Sequence, residues 1–184
     1  MKYRIAVCAS LVLGSCAASL EQPDVDQLQV RTVSDSHTGQ EGFGLPTRMF
    51  DRGPSNDEQA LRFLVPNDRY MLMAEKDRET ERFIPVLAIE LYDIEWRFYR
   101  QAWQDGERFD GVLTDRRLLG CSGVCRHKED IFIPVDGAWL EAAAADGASI
   151  KLIGRNGDRI VAVEPSYAQL FLDEMRDRDG SMTD

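Results

Sequence analysis

Hydrophobic and polar positions alternate along much of this chain. Residues 28–33 (LQVRTV) alternate and end on β-branched side chains, which predicts a first strand. Residues 62–65 and 69–75 read as strands separated by a Pro66-Asn67-Asp68 turn, and residues 83–90 predict a strand carrying Ile84, Val86, Leu87 and Ile89. A turn over residues 93–95 leads to Trp96, Phe98 and Ala102, expected to face the core on a strand closed by Gln104-Asp105-Gly106. Residues 110–119 predict a further strand, and residues 131–135 one whose Pro134 marks an edge or a strand end.

The pattern then changes. Asp136 can cap a helix over residues 138–145, built on four consecutive alanines and stopped by Gly147. Residues 149–153 and 159–163 flank Asn156-Gly157, the preferred pair for a type I′ hairpin turn. Pro165 opens a last helix with Tyr167, Leu170, Phe171 and Met175 on its inner face, and the chain after Arg176 is polar, predicting a flexible tail over 177–184. Residues 35–57 hold glycines 39, 42, 44 and 53 and prolines 46 and 54, predicting a long irregular segment with an ordered stretch near 47–50. It reads as a covering strap or a binding loop, and the pattern favours the strap. No repeat or low-complexity tract interrupts the chain. The order of elements predicts one α+β domain over 28–176, mainly antiparallel β as a sheet or small sandwich, with two short helices near the C-terminus.

The N-terminus is of another kind. Lys2 and Arg4 precede an uncharged apolar run over residues 5–13 and then small residues, the order of a secretory signal. Nine residues are too few for a membrane span, which needs roughly 20. Leu13-Gly14-Ser15-Cys16 resembles the lipobox of bacterial lipoproteins. The resemblance implies a signal over 1–15, a diacylglyceryl group on the Cys16 thiol, cleavage after Ser15 and acylation of the new amine. Residues 16–27 would then tether the domain to a membrane, facing the periplasm. Two or three acyl chains, at about 0.8 kcal/mol per buried methylene, anchor a protein stably where one chain does not. By resemblance to lipoprotein sorting, Ala17 in place of aspartate favours the outer membrane. The competing reading is ordinary signal cleavage after Ala18, with Cys16 discarded.

Charge narrows the partners. The formal net charge is −10, and about −12 once the signal's Lys2 and Arg4 are removed. So acidic a surface repels nucleic acid and anionic headgroups, leaving the lipid anchor and an envelope protein as the expected partners. The apolar fraction of 43% is that of a chain able to bury a core.

With Cys8 and Cys16 accounted for, Cys121 and Cys125 remain. An even pair in an oxidising compartment predicts a disulfide, with Ser122-Gly123-Val124 and Gly120 supplying the turn freedom. So short a loop stabilises by only about 2 kcal/mol in the chain-entropy model. Haem attachment fails, because three residues separate the cysteines and Arg126 separates Cys125 from His127. Thiol or copper redox chemistry needs a helix after the first cysteine, and the strand expected at Ile131 leaves no room for one. Zinc would have to recruit both His37 and His127.

Catalytic motifs are few. The chain holds no Gly-x-Ser-x-Gly elbow, no His-Glu-x-x-His and no phosphate-binding glycine loop. His37 and His127 read as exposed loop residues. Glu90, Asp93 and Glu95 could supply a carboxylate pair for glycoside hydrolysis, although a solvated face or turn accounts for them as well. Asp35 to Glu41 matches no calcium loop. Trp96, Phe98, Tyr99 and Trp103 would stack a ligand if exposed, or pack inward. The stretch Ile150 to Gly157, with Pro165-Ser166-Tyr167, Phe171-Leu172, Trp96-Arg97-Phe98-Tyr99 and the cysteine segment, resembles uncharacterised exported domains of proteobacteria. That resemblance implies a shared fold and no activity. The expectation is therefore a lipid-anchored, non-enzymatic binding or structural module without a cofactor. The alternatives are a hydrolase using Glu90, Asp93 and Glu95, or redox chemistry at Cys121 and Cys125.

Overall fold

Alternation becomes strand wherever one face can be buried. The computed structural model describes residues 24–35, 40–50 and 67–179. After a 3-10 turn at Val25–Gln27 come β1 (Arg31–Asp35), β2 (Gln40–Gly44), β3 (Arg48–Met49), β4 (Arg69–Lys76), β5 (Phe83–Asp93), β6 (Tyr99–Gln104), β7 (Glu107–Arg108), β8 (Leu113–Ser122) and β9 (Val124–Pro134). Helix α1 (Gly137–Asp146), the hairpin β10 (Ala148–Gly154) and β11 (Gly157–Val163), and helix α2 (Pro165–Asp179) complete the described chain.

The larger sheet has the order β1-β2-β4-β5-β9-β8, with β3 also on β4, and the smaller has β11-β10-β6-β7. Every pairing among the described residues is antiparallel. One core joins Leu72, Leu87 and Ile131 of the large sheet to Ala102, Ile150 and Val161 of the small one, and to Leu140, Tyr167 and Phe171 of the helices. The small sheet and both helices thus cover one face of the large sheet, an antiparallel-dominated α+β architecture. Tyr167 fastens α2 to that face. Its hydroxyl donates to the Pro46 carbonyl at 2.9 Å and accepts the Leu72 amide at 3.3 Å, while its ring meets Tyr70 edge-on at 5.4 Å. Burial raises the Tyr167 phenol above its ordinary value, so it stays neutral.

Several boundaries differ from the sequence expectation. Strand β1 begins at Arg31 rather than residue 28, and Val25 and Leu28 pack against the core, so the globule includes the end of the expected tether. The segment 35–57 contains β2 and β3. Its glycines conceal the first of these, because a Cβ at Gly42 would lie 2.8 Å from the Ala74 carbonyl of β4. The β10–β11 turn centres on Arg155-Asn156, since Gly154 pairs with Gly157. Asn156 is held there by other contacts: its amide donates to the Arg97 carbonyl at 3.1 Å and its side chain to the Trp96 carbonyl at 2.8 Å. Helix α2 runs past residue 176 to Asp179, with the Arg178 guanidinium over the Phe43 ring at 4.5 Å and paired to Glu174. The expected strand at 62–65 and the signal and lipobox lie outside the described residues.

Candidate functional site

Strand geometry separates the expected carboxylates. Successive side chains of β5 point to opposite faces, so Glu90 and Asp93, three residues apart, cannot share one. Glu90 lies on the outer face, accepting from Lys128 Nζ at 2.9 Å and the Tyr92 hydroxyl at 3.0 Å. Lys128 also meets Asp130 at 2.8 Å. Burial pushes the Glu90 carboxyl up, but the bonds from Lys128 and Tyr92 outweigh it and hold it below its ordinary value. Burial likewise opposes the Lys128 charge, and Asp130 and Glu90 more than compensate, raising it.

Asp93 faces inward, between the sheets. It accepts from Arg97 Nε at 2.7 Å and lies 3.7 Å from Arg159, which in turn lies 3.8 Å from the fully buried Asp68. Glu95 is exposed in the following bend. A glycosidase needs both carboxyls on one substrate. These three do not converge, and the two more enclosed ones already neutralise cations.

The aromatic quartet is also dispersed. Tyr99 enters the core, Trp103 is half-buried on β6 with its Nε1 bonded to Gln101 at 3.1 Å, and Trp96 and Phe98 sit in the loop before β6. Phe98 has φ +57°, which ends the extended run and starts the strand at Tyr99 rather than at Trp96. Gly154 pairs with Tyr99 and Ile153 with Gln101, so an extra residue at Arg100 lets Tyr99 and Ala102 both face inward.

His127 is not a loop residue. It lies in β9, half-buried, with its ring 4.4 Å from Trp96. His37 and the 36–39 stretch lie outside the described residues. Cys121 and Cys125 form a disulfide with Cα atoms 4.0 Å apart. They are a cross-strand pair at the tip of the β8–β9 hairpin, with Gly123 at φ +77° in the turn. Strand β9 starts at Val124, so the expected cysteine loop is sheet, and neither sulfur stands at a helix N-terminus.

The concave feature was not visible in the sequence. A cleft of about 370 Å³ opens beside β2, lined mainly by apolar groups that include Leu45, Pro46, Met71 and Met73. Gly42 and Gly44 contribute only backbone to it, and the exposed Arg31, paired through its main chain with Gly44, stands at its edge with Glu41 and Glu75. Gly42-x-Gly44 and Met71-x-Met73 share the strand period, but only the β2–β4 register, with Gly44 opposite Met73, brings them together. A smaller, more polar cleft of about 310 Å³ lies between β7 and α1 near Trp139, whose Nε1 is bonded to Gln104 at 2.9 Å. No protein-family model matches the chain, and comparison with curated proteins and with solved structures finds no match.

Proposed function

We propose that this chain is a lipid-anchored protein of the cell envelope, facing the periplasm, whose domain works as a non-enzymatic binding module. The observation that carries the reading is the position of Cys16, directly after an apolar run and the small residues Gly14 and Ser15. The Cys121–Cys125 bridge supports it, because such bonds persist in oxidising compartments. Ala17 favours the outer membrane. The cleft beside β2 is the binding surface. Its methionines adapt to varied apolar shapes, which suits a ligand with an apolar body, while Arg31, Glu41 and Glu75 at its edge supply charges of both signs.

Mass spectrometry of protein extracted from native membranes tests the anchor. The expected species begins at a triacylated Cys16, and Cys16→Ala abolishes acylation. An unmodified chain starting at Met1, or one trimmed beyond Cys16, overturns the reading. For the cleft, a fluorescent fatty acid should bind the full chain carrying Cys16→Ser and lose affinity at least tenfold with Met73→Glu. Equal binding by both proteins removes the cleft from the proposal.

A further inference from the structure

The chain's acidity is unevenly spread. Residues 116–128 contain Arg116, Arg117, Arg126 and Lys128 and no acid, within a chain of formal charge −10. They form the outer part of the β8–β9 hairpin, so the cations gather at one end of the molecule. Arg116 is held by Glu129 at 3.0 Å and Lys128 by Glu90 and Asp130. Arg117 is exposed, and its 3.4 Å contact with the exposed Asp115 holds it only weakly. Arg126, and Arg155 on the β10–β11 turn, are exposed and make no ion pair among the described residues. That turn lies at the same end, bonded through Asn156 to Trp96 and Arg97.

Apolar groups stand beside these cations at the end of the hairpin, with Leu118 on the sheet face opposite Arg117 and Arg126. Leu118 and Leu119 are 54% and 40% exposed, where most large apolar side chains of the domain are buried. Leu118 is the cross-strand partner of His127, and the His127 ring lies tilted against the half-buried Trp96 at 4.4 Å, so the apolar surface continues from hairpin to loop. The disulfide fixes the hairpin tip, which reduces the conformational freedom lost on docking.

We propose that this end of the domain docks on an anionic lipid surface. Leu118 and Leu119 enter the interface, Trp96 sits at headgroup level, and Arg117, Arg126 and Arg155 meet the phosphates. Net charge alone predicts repulsion. Screening limits the bilayer's reach to about 8 Å at physiological salt, however, and within that distance lies the basic end. The proposal rests on the anchor reading for its biological setting, since a chain tethered at Cys16 meets the membrane at high effective concentration.

The test uses the full chain with Cys16→Ser, so that it does not depend on acylation. It is mixed at about 0.15 M salt, where the Debye length is about 8 Å, with vesicles of phosphatidylcholine alone or with phosphatidylglycerol added. The expected result is cosedimentation at least tenfold stronger with the anionic vesicles, weakened by salt, with a blue shift of tryptophan emission that Trp96→Phe removes. Arg126→Glu with Arg155→Glu, and separately Leu118→Ser with Leu119→Ser, should each reduce binding about tenfold or more. Arg155→Glu alone, outside the hairpin, should also weaken it, which guards against hairpin misfolding. Absent or equal binding to the two vesicle types, or unchanged binding by both double variants, overturns the proposal. So does loss, in the arginine variants, of a crosslink to an acidic envelope protein when vesicles bind nothing. The mass of native Cys16 is a separate measurement, so the anchor and the docking surface can fail independently.

Discussion

Glu129 holds the main chain at Arg97: Oε1 of its buried carboxylate accepts the Arg97 amide at 2.7 Å. The same carboxylate accepts the amides of Phe98 at 2.9 Å and Tyr99 at 3.1 Å, and Arg116 Nε at 3.0 Å. These bonds support the left-handed backbone at Phe98, a conformation that costs an L-residue about 1–2 kcal/mol. They also carry the chain from the large sheet to the small one. Glu129→Ala should therefore destabilise the domain by about 3–5 kcal/mol, since it removes one partner of a buried ion pair and leaves three amides without their acceptor. Glu129→Gln keeps one of the two acceptor oxygens, enough for the Arg97 and Phe98 amides, and should cost less. Urea unfolding of the two variants checks the order, and equal, small losses would show that the loop holds itself.

The Glu90–Lys128–Asp130 group makes a pH prediction. The Glu90 carboxyl lies below its ordinary value of 4.5, so its contribution to stability is complete above that value and is lost as pH falls through the folded value. Lys128 lies above its ordinary value of 10.5, so its contribution is present below 10.5 and is lost as pH rises past the folded value. Lys128→Met should cost about 1 kcal/mol near neutrality, given the partial exposure of the group. The difference from the parent should shrink below pH 4.5 and again well above 10.5. Unfolding midpoints across pH provide the measurement, and a constant difference would detach Lys128 from both carboxylates.

Tyr167 offers a test of how α2 is fixed. Tyr167→Phe keeps the ring against Tyr70 and removes the hydroxyl shared by the Pro46 carbonyl and the Leu72 amide. The expected loss is about 1–3 kcal/mol, because a buried donor and acceptor are left unmatched. Hydrogen exchange at the Leu72 amide should quicken in the variant. No change in either quantity would mean that ring packing alone fastens the helix.

The sequence announced those elements whose period the fold respects. β5, the β10–β11 pair, α1 with its Asp136 cap on the Trp139 amide at 2.7 Å, and the buried stripe of α2 all follow from alternation or helical spacing. Elements shaped by a distant neighbour were hidden. β2 replaces strand-forming side chains with glycine because β4 passes too close, and the turn at Arg155-Asn156 moves by one residue because Asn156 binds the Trp96 loop. The separation of Glu90 from Asp93 was legible in principle, since an odd spacing on a strand means opposite faces. The apolar run that marks the strand stops near Glu90, whereas pairing with β9 extends the strand to Asp93. The cleft and the basic end depend on register between strands far apart in sequence, which no local pattern encodes.

The cross-strand bridge gives the last prediction. Cys121 and Cys125 close a loop of only five residues, and the β8–β9 ladder already pairs Leu113 with Phe132 and Leu118 with His127 further down. Bridging therefore removes little freedom from the unfolded chain, and replacing both cysteines by serine should cost about 2 kcal/mol. The ladder should survive, because its pairing is fixed by Ile131 and Ile133 facing the core rather than by the tip. Thermal unfolding of Cys121→Ser/Cys125→Ser, and of the parent with reductant, should give the same modest loss with far-UV circular dichroism unchanged. A collapse of the β signal on reduction would instead assign the bridge the register of the whole hairpin. A destabilisation in the serine variant that reductant does not reproduce would mean that the thiols, not the bond, pack the tip.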